Sequence, residues 1–164
     1  MRKAIMIAGL ILAVGVLAPA GALGKAGGTD RPIKDTESGT TALDLGSLTF
    51  STDAIGNTSH LGRTTTHLDA ALTLTGPDTF TLAGSGTIVA ANGSELFVTF
   101  TGSGTLEASG NTGGPVVLTI TGGTGRFDGA SGSLAGSYSQ VLESMNATTA
   151  NYATDYSLNG TISY

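Results

Sequence analysis

The sequence predicts an all-β protein, a single antiparallel barrel of about eight strands closed on itself behind an N-terminal signal helix. Three observations predict it. Glycine, at 26 of 164 residues, and threonine crowd out helix formers. Gly costs roughly 1 kcal/mol inside a helix but serves turns and bends, and β-branched Thr suits a pleated surface. Apolar residues recur at spacing two, as in Tyr152, Tyr156, Leu158, Ile162 and Tyr164 set against Asp155, Ser157, Asn159, Thr161 and Ser163. Turn-forming residues then interrupt this alternation at short intervals.

From the N-terminus, Arg2 and Lys3 precede an apolar run from Ala4 to Leu17, and the small residues Ala18-Pro19-Ala20 and Ala20-Gly21-Ala22 follow. This is the layout of a signal peptide, residues 1–22, cut after Ala20 or Ala22. The run is shorter than the roughly 20 residues a spanning helix needs, so stable membrane insertion of the mature chain is not expected. Residues 23–41, with Gly27-Gly28, Pro32 and charges of both signs, read as a flexible leader, and 42–164 as the barrel domain.

Within that domain strands are expected over 43–50, 66–74, 79–90, 95–106, 116–121, 133–142 and 152–164, with a weaker one before His60. Gly76-Pro77-Asp78, Asn92-Gly93, Gly110 to Pro115 and Met145-Asn146 are the turns between them. Phe80 to Ile88 is echoed by Val98 to Leu106, including the pairs Gly84/Gly86 and Gly102/Gly104. Neighbouring strands of a meander would share such a pattern, and mid-strand glycines would let them coil tightly. With no helix to cover a sheet face, closure removes the exposed edges.

The chain has no cysteine, which excludes disulfide staples and a lipidated-cysteine anchor. Loss of Arg2 and Lys3 would leave five basic residues against twelve acidic ones, a balance that disfavours nucleic acid and anionic membranes. The pattern implies export, to a periplasm or beyond the cell.

The stretch Gly122-Gly123-Thr124-Gly125-Arg126-Phe127-Asp128-Gly129-Ala130-Ser131-Gly132 resembles the glycine-rich signature near the end of dirigent and allene oxide cyclase-like barrel proteins. Ser59-His60-Leu61-Gly62-Arg63-Thr64-Thr65 and Ala90-Ala91-Asn92-Gly93-Ser94-Glu95-Leu96 resemble secreted bacterial members of that class. The resemblance implies a calycin-like eight-stranded barrel with an interior cavity; plant members use such a cavity to cyclise a fatty-acid epoxide or to steer radical coupling.

On residue grounds the glycine motif is structural, with Gly122, Gly123 and Gly125 shaping a strand end, Phe127 turning inward and Arg126 finding a partner. A nucleotide loop is excluded because Asp128 stands where G-x-G-x-x-G needs glycine, and a calcium repeat because Phe127 stands where its Asp should be. His60 and His67, seven apart, would face opposite ways on one strand, so no metal site is implied, and no cofactor. His60, Arg63, Glu95, Arg126 and Tyr138 are the candidate ligand-binding residues, because a charged or phenolic group turned into a barrel would orient a ligand. No catalytic constellation is recognisable. The expected function is binding of a small hydrophobic molecule inside the barrel; a cyclase or isomerase acting by confinement is the alternative, and an extracellular structural or interaction protein the third reading.

Overall fold

A computed structural model describes Gly28 and residues 30–164; the expected signal peptide, 1–22, and residues 23–27 lie outside the described residues. Eight strands run in order around a closed antiparallel barrel. They are β1 (Arg31–Asp44), β2 (Thr49–Thr58), β3 (Gly62–Leu74), β4 (Thr79–Val89), β5 (Glu95–Leu106), β6 (Thr112–Gly123), β7 (Ser131–Met145) and β8 (Thr149–Ser163), with one 3-10 turn at Gly125–Phe127. Each pairs with the next in sequence, and β1 closes on β8 from Arg31↔Ile162 to Asp44↔Thr149.

Two expectations about the first third of the chain are corrected. From Arg31 on, the supposed leader is β1 itself, buried on alternate residues at Ile33, Asp35, Glu37 and Thr41. Asp35 and Glu37 sit at core-facing positions, so acidic side chains mask the alternation that an apolar pattern would reveal. The strand expected over 43–50 is instead the end of β1, a turn and the start of β2. The Asp44 carboxylate accepts the Gly46 and Ser47 N–H groups at 2.8 Å and Leu48 takes φ 55°, which reverses the chain. The turn after β5 is also shorter than expected, because Gly113, Gly114 and Pro115 belong to β6. The β5–β6 ladder is interrupted, without a change of register, between Gly102↔Val116 and Thr105↔Gly113, around Pro115, which has no N–H to donate; its register shift lies between Phe97 and Val98.

The mid-strand glycines occupy the close approaches that tight coiling demands. A Cβ on Gly84 would strike the Asp69 carbonyl of β3, and one on Gly86 the His67 carbonyl. The echoed strands β4 and β5 are neighbours, paired from Thr79↔Thr105 to Val89↔Glu95.

The hairpins after β2, β4 and β6 gather at one end, which Leu61, Leu96, Phe127, Ala130 and Ile162 fill. Phe127 is wholly buried, edge-on to Tyr164 at 5.0 Å. Arg126 lies 4.9 Å over the Phe127 ring and donates to the Tyr164 hydroxyl at 3.0 Å. Gly125 and Gly129 take φ 59° and 73°, and the motif folds over the barrel end as a plug. The hairpins after β1, β3, β5 and β7 surround the other end, which is open.

Gly84→Ala is expected to lower stability by about 1–3 kcal/mol, the usual cost of forcing atoms into a packed site, measured by urea unfolding. Ser85→Ala, on the outward face of the same strand, should change it by less than about 0.5 kcal/mol.

Candidate functional site

Alternation sends every second residue of each strand inward, and the buried polar ones gather on β1, β2, β3 and β8, beside apolar residues such as Ile33, Leu68 and Leu158. Strands β4 to β6 contribute Phe80, Leu82, Ile88, Val98, Phe100, Val116 and Leu118, an apolar wall. Strands β1, β2, β3 and β8 contribute Asp35, Glu37, Thr41, Thr52, Thr58, Thr64, Thr66 and Thr154, all buried. A buried carboxylate is costly without hydrogen bonds, and here threonine hydroxyls supply them. Thr58 donates to Asp35 at 2.5 Å, and Thr64 and Thr66 donate to one Glu37 oxygen at 2.7 and 2.8 Å.

Glu37 is on β1 whereas Thr64 and Thr66 are on β3, so its side chain crosses β2. Gly56 makes that possible: it is the register partner of both Glu37 and Thr64, and a Cβ there would lie 2.6 Å from the Glu37 Cγ. Burial, helped by the negative charge of Glu37, pushes the Asp35 carboxyl from 3.8 to about 6 against the opposing Thr58 bond.

Above this cluster, toward the open end, lies a cavity of about 380 Å³. Its walls are apolar, built from side chains such as Leu43, Phe50, Leu72, Phe80, Phe100 and Leu142. Its polar lining consists chiefly of uncharged groups: Thr41, Thr112, Tyr138, Gln140, Tyr152 and Tyr156. Tyr138 and Tyr156 are register partners whose ring centres stand 6.5 Å apart. Burial pushes the Tyr156 phenol up to about 12 and raises Tyr138 and Tyr152 as well, so all three are neutral at ordinary pH, and the Tyr138 hydroxyl donates to the Ser103 carbonyl at 3.4 Å. Gln140 donates its amide N–H groups to Thr41 at 3.0 Å and Thr154 at 3.2 Å, which leaves its carbonyl oxygen as an acceptor. The Thr112 hydroxyl is buried with no hydrogen-bond partner.

Of the residues that the sequence singled out, Tyr138 lines this cavity and the other four do not. His60 sits in the exposed β2–β3 turn at φ 70°, its Nε2 2.9 Å from the Pro32 carbonyl. Arg63 is exposed at the start of β3, Glu95 is half-buried at the start of β5, and Arg126 belongs to the plug. Phe97, between the buried Leu96 and Val98 on β5, points outward. His67 lies outside the barrel between Asp53 (2.7 Å) and Asp69 (3.3 Å), and the bond to Asp53 raises its pKa. Among the described residues no group of three His, Cys, Asp or Glu side chains is placed to hold a metal.

The polar residues that sequence reasoning missed are Asp35, Glu37 and Gln140. For the two carboxylates the signal was the spacing Ile33-x-Asp35-x-Glu37-x-Gly39-x-Thr41-x-Leu43, a strand period carried by mixed residue types, and for Gln140 it was the parity shared with Tyr138 and Leu142. No protein-family profile matches the chain, and no curated protein matches it in sequence.

Because the Asp35 pKa is higher in the folded chain than in the unfolded one, the folded state holds this proton more tightly. The corresponding stability is full below about 4 and lost as pH rises through about 6. Asp35→Asn should therefore gain on the parent by up to about 3 kcal/mol between pH 4 and pH 7.5, read from urea unfolding at the two values. An unchanged difference across that range would show that Asp35 titrates normally.

Proposed function

We propose that the barrel binds a small hydrophobic molecule in the cavity at its open end. The observation that carries the reading is the combination at that end: a cavity of about 380 Å³ with aliphatic and aromatic walls and a few uncharged polar groups. Volumes of roughly 300–1,000 Å³ with such a lining are typical of small-molecule sites. The volume suits a ligand of about ten to fifteen carbons. Export through the signal peptide would make this a periplasmic or extracellular carrier. The allene oxide cyclase-like and dirigent-like resemblance is compatible with that use of a barrel interior.

A cyclase or isomerase acting by confinement is the second reading, favoured by Glu37, a buried carboxylate paired in register with the cavity residue Tyr156. A ligand converted during incubation by the parent protein, and bound but left unconverted by Glu37→Gln, would support it over simple carriage.

Binding is tested by native mass spectrometry of protein from its own host and by uptake of the fluorescent probe 1-N-phenylnaphthylamine. A stoichiometric apolar adduct and saturable fluorescence are expected. Leu72→Trp, which adds bulk to the cavity wall, should weaken probe binding by about tenfold or more while the circular dichroism spectrum is kept. Unsaturable fluorescence in the parent protein would count against a cavity site.

A further inference from the structure

Charge is distributed unevenly along the barrel axis. The acidic residues Asp44, Asp78, Glu107 and Glu143 lie in the hairpins and strand ends around the open mouth, and Asp78 and Glu107 line the cavity itself. The basic residues among those described, Arg31, Lys34, Arg63 and Arg126, belong to the opposite end. Arg31 and Arg126 are held there by the Tyr164 ring and hydroxyl. The cavity therefore has an acidic rim and, in its lining, no cation to meet a negative head group.

The deeper lining points the same way. Tyr138 and Tyr156 are phenols kept neutral by burial, and Gln140 offers a carbonyl oxygen. Behind Tyr156 stands Glu37, with Asp35 two residues along the same strand face. A carboxylate or phosphate entering the cavity would lose its water, find no positive partner and approach buried acids, which together cost several kcal/mol. A cationic head group would be drawn to the rim and toward the buried acids, but Asp35 and Glu37 are held by Thr58, Thr64 and Thr66 outside the cavity lining, so it too would lose its water without a direct partner. An alcohol or carbonyl oxygen loses little on entry and gains hydrogen bonds from Tyr156 and Thr112, while the Tyr138 oxygen, whose hydrogen is donated to the Ser103 carbonyl, accepts from an alcohol.

We propose that the cavity selects uncharged apolar molecules bearing a hydroxyl or carbonyl oxygen, seated oxygen-first against Tyr138, Tyr156 and Gln140, and rejects fatty-acid anions. This selectivity rests on the reading of the cavity as a ligand site and names its ligand class.

The test is displacement of 1-N-phenylnaphthylamine from the purified protein by three ten-carbon chains, 1-decanol, decanoate and decylamine, at pH 8. Decanol should displace the probe at concentrations at least about tenfold lower than either charged chain. The gap between decanol and decanoic acid should close as pH falls to about 4 and the acid becomes neutral. Reversing the rim with Asp78→Lys and Glu107→Lys should move the decanoate-to-decanol preference severalfold toward the acid, because both residues are exposed lining groups. Decanoate or decylamine matching decanol at pH 8 would overturn the selectivity while leaving the cavity a ligand site. Failure of both probe and decanol to bind would overturn the ligand reading itself.

Discussion

Everything in this barrel follows from the closure of β1 on β8. That pairing joins residues more than a hundred positions apart and leaves no strand edge exposed. It also imposes a condition on β1, because in a closed sheet one parity must face the interior whatever side chains it carries. In β1 that parity includes Asp35 and Glu37. The opposite register choice would place Lys34, Thr36 and Ser38 inside and turn Ile33, now buried, out to solvent. The carboxylates are instead met by Thr58, Thr64 and Thr66, each at the height where register brings a hydroxyl within reach.

The interior is consequently built of two walls with different rules. Along β4 to β6, Phe and branched aliphatic side chains fill space, and inward glycines such as Gly84, Gly86 and Gly102 let the strands approach one another without a Cβ collision. Along β8, β1, β2 and β3, threonine serves both purposes, since its methyl packs and its hydroxyl satisfies a neighbour. Gly56 links the two rules: its missing side chain is space that Glu37 occupies on its way to β3. The two walls are packed together at the plugged end, where Phe127 and Ile162 are wholly buried, and stand apart at the mouth, where Phe50 and Leu72 are only partly covered.

Most of the barrel was legible in the sequence because strands β3 to β8 alternate polar and apolar residues and are punctuated by Gly, Pro, Asn and Asp. Asn92 and Asn146, for instance, fold their side-chain oxygens onto the backbone N–H groups of Ser94, Thr148 and Thr149, as their place between strands suggests. The first strand was illegible for the reason that makes it informative. A period of two is visible only when the inward residues are apolar, and Asp35, Glu37 and Gly39 look like leader composition until the register is known. The candidate site suffered from the same bias. His60, Arg63, Glu95 and Arg126 attract notice by chemical type near glycine-rich turns, but those turns form the plugged end and its neighbourhood. Tyr138 was found because an aromatic at core parity is both visible and inward.

Selectivity in such a cavity comes from what the fold makes unavailable as much as from what it supplies. A lysine or arginine facing the adjoining space would compete with Thr58, Thr64 and Thr66 for the two buried carboxylates, and the cavity lining contains no such residue. The basic residues are accordingly held toward the plugged end, where Arg31 and Arg126 stack on Phe127 and Tyr164 and stabilise the seal, away from the mouth. Apart from Asp78 and Glu107 at the rim, the polar groups left to line the cavity are uncharged. A tyrosine pushed to about 12 remains a hydrogen-bond donor across the whole physiological range, so the recognition surface does not change its charge when the medium does. The titrating element is Asp35, buried behind the threonine layer. On the proposed reading, the pH-sensitive Asp35 belongs to the scaffold while the phenols that would meet a ligand keep their charge state, so stability and recognition respond to pH separately.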